Sequence, residues 1–162
     1  MCTMDNQHDP SHAWIELDDG RAVLIRRAGA TDDEALARLG GPSFQVVYKK
    51  GGVSPAVPRR EMFVALTLDG EVVGAAWLEI GEHDPIHGQL RLALEPAWRH
   101  LGVEAALAKR TAESAREHGC TRITAYVPYI SSDVFASLRA ACMNVRSCLS
   151  LGGVAEVELD VL

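Results

Sequence analysis

The stretch Leu90-Arg91-Leu92-Ala93-Leu94-Glu95-Pro96-Ala97-Trp98-Arg99-His100-Leu101-Gly102-Val103-Glu104-Ala105-Ala106-Leu107 changes its hydrophobic period half-way, and that change decides the fold. Leu90, Leu92 and Leu94 alternate with Arg91 and Ala93, the period of a strand, and Pro96 ends it. Helix formers then run from Leu101 to His118, with Gly119 where a left-handed C-cap is wanted. On that helix Leu101, Ala105, Ala108, Ala112 and Ala115 recur at helical spacing, and so many alanines let it lie close against a sheet. Where strand passes into helix, free backbone N–H groups and the helix dipole attract anions, and Gly102 would let a diphosphate approach the main chain. Taken alone, the pattern fits an ordinary strand-to-helix turn equally well.

The same period rules, applied to either side, give a mixed sheet. Upstream, Ala22-Val23-Leu24-Ile25-Arg26 reads as a strand after the turn Asp18-Asp19-Gly20, and Thr31 with Glu34 three residues later reads as the cap of a helix stopped by Gly40-Gly41-Pro42. Ser43 to Arg60, broken by Gly51-Gly52, Pro55 and Pro58, reads as a loop. Met62 to Leu68 and Val72 to Ile80 form a hairpin around Asp69-Gly70-Glu71. Downstream come a strand at Arg122 to Val127, a helix from Ser132 to Ala141, and two strands, Val145 to Leu149 and Val154 to Val161, around Gly152-Gly153. The expected class is α/β: a mixed, mostly antiparallel sheet of about six to seven strands with helices on both faces and one parallel crossover.

Composition limits what such a domain does. The 162 residues suit one domain, 48% of them are apolar, and the expected organisation is a flexible tail over residues 1–12 followed by a single domain over 13–162. No run approaches the roughly 20 apolar residues of a membrane helix, and Met1 to His12 lacks the order of a signal peptide, so a cytoplasmic protein is expected. A net charge of -6 with scattered basic residues argues against nucleic acid; the pairs Arg26-Arg27, Lys49-Lys50 and Arg59-Arg60 read as solvated surface. Cys2, Cys120, Cys142 and Cys148 have neither CxxC spacing nor clustered histidines, and read as reduced thiols without a metal.

With its surroundings, the turn resembles the GNAT superfamily of acyl-coenzyme A N-acyltransferases, whose signature R/Q-x-x-G-x-G/A falls in this strand-turn-helix setting. Arg99 and Gly102 match it. The resemblance runs from Leu17 to Leu162, through Val23-Leu24-Ile25-Arg26, Val64-Ala65-Leu66 with Gly70-Glu71-Val72-Val73-Gly74, and Ala112 to Cys120. From Arg146 to Leu162 it is similar to bacterial protein lysine acetyltransferases. The resemblance implies acetyl transfer from acetyl-CoA to a primary amine, a protein lysine or a small amine, by direct attack and without a metal. Arg99, His100, Leu101, Gly102, Val103, Glu104 and Ala105 would line the pyrophosphate, and the backbone over Leu92, Ala93 and Leu94 would run beside pantetheine.

Four places depart from the family's pattern. Glu104 stands where the second Gly or Ala belongs. A carboxylate about 4 Å from a phosphate opposes binding by roughly 1 to 4 kcal/mol, whereas one pointing outward near a helix N-terminus stabilises by roughly 0.3 to 1 kcal/mol; a reshaped turn, weak binding and an outward carboxylate all remain open. Gln89 occupies the position of the Glu that accepts the amine's proton in the lysine acetyltransferases. His87, on the same strand face, is the preferred substitute, since histidine ordinarily titrates near neutral pH; Glu79 on the neighbouring strand and Glu82, His83 and Asp84 in the preceding loop are the other candidates. Ser131 replaces the Asn that bonds pantetheine, and Cys142-Met143 replaces a Gly-Phe pair, with Met143 as core filling and Cys142 not a nucleophile. Tyr129 and Tyr126 are nearest to the place of the thiol-protonating tyrosine, with Tyr126 read as strand packing. A catalytically impaired relative that binds acyl-CoA or a protein partner is the alternative, and acyl transfer to a hydroxyl is a third. The C-terminal hairpin could pair two copies into a homodimer.

Overall fold

The computed structural model describes residues 13–39, 59–81, 83–127, 136, 138–139, 143–151 and 154–161. Eight strands form one sheet in the order β1-β2-β3-β4-β5-β6-β8-β7. They are β1 (Ala13–Glu16), β2 (Ala22–Arg27), β3 (Arg59–Leu66), β4 (Val72–Ile80), β5 (His87–Leu94), β6 (Arg122–Val127), β7 (Met143–Leu151) and β8 (Val154–Val161). Every neighbouring pair is antiparallel except β5 and β6, which are parallel and joined by helix α2 (Val103–Glu117). Residues 33–39 form a first helix, α1. The expectations for the tail over residues 1–12, for most of the loop from Ser43, for the cap at Ser132 and for Glu82, Tyr129, Ser131 and Cys142 lie outside the described residues.

The strand count exceeds expectation by the short edge strand β1, and several boundaries move, β7 running from Met143 to Leu151 where Val145 to Leu149 was expected. β3 begins at Arg59, inside the segment read as loop, because its charges are neutralised by neighbours: Arg27 pairs with Glu61, and Arg60 lies 3.7 Å from Glu79. The same strand stops at Leu66, leaving Leu68 exposed in the turn. β5 begins at His87 and not Leu90, since Gly88 is buried within the ladder. A Cβ there would sit 2.8 Å from Leu78 Cδ1, so glycine is a packing requirement at this position. The hairpin between β3 and β4 closes as expected, with Gly70 at φ +82 and its N–H donating to the Thr67 carbonyl over 3.0 Å.

The sheet has two dissimilar faces. On one, α2 lays Val103, Leu107, Ala108, Ala112 and Ala115 onto Phe63, Ala76, Leu78, Leu90, Leu92 and Leu94, joined by Ile123, Leu138 and Leu159. Each fully buried side chain of this size contributes about 1.5–3 kcal/mol by leaving water. Leu138 and Arg139 are helical, in keeping with a helix in that region. On the other face a smaller cluster of Val64, Leu66, Val72 and Ala75 receives Ala35, Leu36 and Leu39 of α1, so helices cover both faces. Toward β5, β6 and β8 that second face carries the polar members of the alternation: Glu79, His87, Gln89, Arg91, Thr124, Tyr126, Glu156 and Glu158.

One cap differs from expectation. Thr31 is exposed, and Gly29 precedes a short 3-10 turn over Ala30–Asp32 that leads into α1. The buried Asp32 carboxylate accepts the Gly29 N–H at 2.7 Å and both terminal nitrogens of Arg26 at 2.7 and 3.0 Å. An ionised carboxylate satisfies three donors, two of them charged, where a neutral hydroxyl accepts at most two, which is why it takes the position.

Candidate active site

The site is built where β5 leaves β6. The two strands pair from His87–Arg122 to Arg91–Tyr126, and Leu92, Ala93 and Leu94 continue with a neighbour on the β4 side alone. This leaves the β6-facing backbone edge of three residues without a strand partner among the described residues. An extended amide-bearing chain can bond there by the same ladder geometry as a strand.

Beyond Leu94 the chain makes a 3-10 turn over Pro96–Trp98, then passes Arg99 in an extended conformation, His100 at φ +66 and Gly102 at φ +101, and enters α2 at Val103. The helix therefore starts two residues later than its helix formers suggested. Left-handed backbone at Gly102 needs the absence of a Cβ, and no side chain caps the helix N-terminus there. Asp18 anchors the turn from outside by donating its N–H to the Leu101 carbonyl at 3.2 Å, and the Arg21 guanidinium lies 4.0 Å over the Trp98 ring.

Glu104 does not point outward. It is 4% exposed, and its Oε1 accepts the His100 N–H at 3.2 Å, so the side chain folds back into the turn. Of the three possibilities open in the sequence, an outward carboxylate is excluded. From the second residue of the helix the carboxylate reaches back to an amide two residues before Gly102, inside the turn itself.

The proton-handling candidates gather on the polar face of β5 and β6. His87, half-buried, shares that face with the exposed Gln89 and with Arg91. Its Nε2 lies 2.6 Å from Thr124 Oγ1, and its Nδ1 lies 3.7 Å from the Asp84 carboxylate. Thr124 is 5% exposed and stands level with Gln89 across the parallel pair. It was missed in the sequence, although the alternation Arg122, Thr124, Tyr126 against buried Ile123 and Ala125 was there to be read. Glu79 stands opposite Gln89 on β4 but lies 3.7 Å from Arg60. His83 and Asp84 are exposed.

Tyr126, half-buried in β6, belongs to this face. Arg91 lies 4.9 Å over its ring, at the last paired rung before the strands part. Burial, with the nearby Glu156 carboxylate, raises the phenol above its ordinary value against the opposing pull of Arg91, so Tyr126 stays protonated at neutral pH. Burial lowers the Arg91 guanidinium, opposed by Tyr126 and Glu79. Among the described residues no group of three or more His, Cys, Asp or Glu could hold a metal ion, and no helix is long and apolar enough to cross a membrane. Cys120 is buried against the Pro85 carbonyl, and burial raises its thiol.

The stretch that holds the parting strand, the glycine turn and the helix lies within residues 34–129, which the model of the acetyltransferase (GNAT) family matches. The chain belongs to the GNAT acetyltransferase family. Solved structures agree on the fold of this GNAT chain. The GNAT domain of S. lividans PAT superposes with a TM-score of 0.65 at 21% identity, over 94% of this chain and 98% of that one. Nourseothricin acetyltransferase gives 0.58 at 16%, over 86% and 97%. A cAMP-binding acyltransferase from Mycobacterium smegmatis gives 0.60 at 17%, over 94% of this chain and 48% of that longer one. Among curated proteins none matches the chain significantly. Membership makes this a GNAT-type acetyltransferase, with acyl-CoA as the donor class.

Proposed function

We propose that this GNAT domain transfers an acetyl group from acetyl-CoA to a primary amine, of a protein lysine or a small molecule, by direct attack. The observation that carries the reading is the parting of β5 from β6 after Arg91–Tyr126, beside a face that bears His87, Thr124 and Tyr126. The free edge over Leu92, Ala93 and Leu94 suits the amides of the pantetheine arm, and the turn from Arg99 to Ala105 faces the diphosphate. The thioester supplies the electrophile.

An amine attacks only after losing a proton, and the geometry offers a two-group path for it. Leu92 lies five residues along the strand from His87, about 17 Å, too far for the imidazole to touch an amine at the gap. Thr124 is two rungs nearer, still about 10 Å from the level of Leu92, so water carries the proton from the amine to the Thr124 hydroxyl, which passes one on to Nε2. Tyr126, protonated and at the gap itself, is placed to protonate the leaving thiolate. Glu79, held near Arg60, serves as a counter-charge on this face.

The buried Glu104 carboxylate favours a second reading, an impaired GNAT protein that binds acyl-CoA or a partner without turning it over. Thiol release from acetyl-CoA separates the two. The active reading expects turnover with a lysine peptide or a small diamine that falls about 100-fold in His87→Ala. Turnover absent from the native chain but present in Gln89→Glu would establish the impaired reading, and turnover with a hydroxyl acceptor alone would replace the amine. A cytoplasmic location and pairing into a homodimer belong to the same proposal.

A further inference from the structure

The donor turn carries its own anion. Glu104 is the second residue of α2, is 4% exposed, and returns its Oε1 to the His100 N–H at 3.2 Å. His100 at φ +66 and Gly102 at φ +101 bend the backbone around that carboxylate, so the conformation of the turn and the position of the charge are one arrangement. Left-handed backbone is costly for His100, because its Cβ crowds the carbonyl, and the bond from its N–H to Glu104 helps to hold it there. The His100 amide can serve a phosphate or the Glu104 carboxylate but not both at once, and a phosphate bound at the neighbouring amides lies beside the same buried charge.

We propose that Glu104 sets donor selectivity. A donor bearing a diphosphate binds this turn only by exchanging with the Glu104 carboxylate, whereas a donor that presents the pantetheine arm alone binds at Leu92, Ala93 and Leu94 without that exchange. This rests on the reading of the turn as the diphosphate site. It goes beyond that reading in assigning to one side chain a penalty against the nucleotide half of the donor.

Electrostatics sets the size of the effect. Two negative charges at about 4 Å in a partly screened site repel strongly enough to change affinity by about ten- to several-hundredfold. Glu104→Gln removes the charge and keeps an oxygen able to accept the His100 N–H; Glu104→Gly removes the side chain. Calorimetric titration of the native protein and both variants with acetyl-CoA and with S-acetylpantetheine is the test, and thermal melts establish that each is folded. The expected result is acetyl-CoA binding at least tenfold tighter in Glu104→Gln, with S-acetylpantetheine changed by less than about twofold. Raising the salt concentration should narrow the acetyl-CoA difference. Equal affinity of native and Gln proteins for acetyl-CoA overturns the inference alone. Equal tightening of both donors also overturns it, because the penalty would not belong to the diphosphate. If acetyl-CoA binds none of the three proteins, the inference falls together with the reading on which it rests. Should the Gly variant fail to fold, the Gln comparison decides by itself.

Discussion

Thr124 and His87 form the pair to which the proposed mechanism assigns proton transfer, and their roles separate by substitution. The Thr124 hydroxyl is buried and lies 2.6 Å from Nε2, so it fixes the imidazole as well as reaching it. Thr124→Val keeps the shape and loses the hydroxyl. It is expected to lower kcat roughly tenfold or more while leaving KM for acetyl-CoA within about twofold, and Thr124→Ser should restore the rate. A merely structural hydroxyl would show itself as a lowered Tm with kcat unchanged, and that outcome would remove Thr124 from the path. Tyr126 makes the complementary prediction. Its phenol is raised by burial and by Glu156, so the protonated form persists above neutral pH. Tyr126→Phe should therefore reduce kcat by roughly 10- to 100-fold across the neutral range, and the native enzyme's activity should fall only well into the alkaline range. A Phe variant with native kcat would return Tyr126 to packing.

At the level of strands and helices, the β2–α1 connection gives a stability prediction whose sign follows from one carboxylate. Hydrogen bonds from Arg26 are the largest influence on Asp32 and hold it below the ordinary carboxylate value, joined by the Gly29 N–H and opposed by burial. A depressed folded value means that the contribution is present above the unfolded carboxylate value, near 3.9, and is lost as pH falls through the lower folded value. Asp32→Asn should cost about 3 kcal/mol at pH 7, because Arg26 is left without its partner, and the gap to the native protein should close as pH approaches 2. Equal Tm differences at both pH values would show that the carboxylate's charge is not what stabilises this connection. The same connection shows what was legible in the sequence. Periodicity located β2, the hairpin at Gly70, the strand-turn-helix and the C-cap at Gly119, because each is set by residues close in the chain. It misplaced the cap at Thr31, since a three-donor carboxylate outcompetes a hydroxyl through Arg26, six residues away. It began β3 too late because Arg60 and Glu61 read as charged surface until the facing strands supply their counter-charges. The orientation of Glu104 and the meeting of His87 with Thr124 depend on backbone path and strand register, which one sequence does not display.

The sheet as an assembly is joined at its middle by a short seam. Strands β1 to β5 form one antiparallel run and β6, β8 and β7 another, and the two meet through the five-rung parallel ladder from His87–Arg122 to Arg91–Tyr126, with α2 bridging behind. A donor whose amide-bearing arm occupies the edge over Leu92, Ala93 and Leu94 would extend that seam by the length it now lacks. Binding to the folded state alone stabilises by about 2.7 kcal/mol at 100 times the dissociation constant. For a domain of this size that corresponds to a rise in Tm of roughly 5–10 °C. Because the seam is where the sheet can open without unfolding either run, the gain should be local as well as global. Hydrogen exchange in saturating acetyl-CoA should slow most at the amides of Leu92, Ala93, Leu94 and Tyr126, and least at the β1–β2 edge. S-acetylpantetheine, which reaches the seam and not the α2 turn, should reproduce the protection at β5 and leave the amides from Arg99 to Ala105 unchanged. A Tm rise with uniform protection over the sheet would place the donor elsewhere on the fold, because only a ligand lying in the gap stiffens the two sides of the seam before it stiffens the rest.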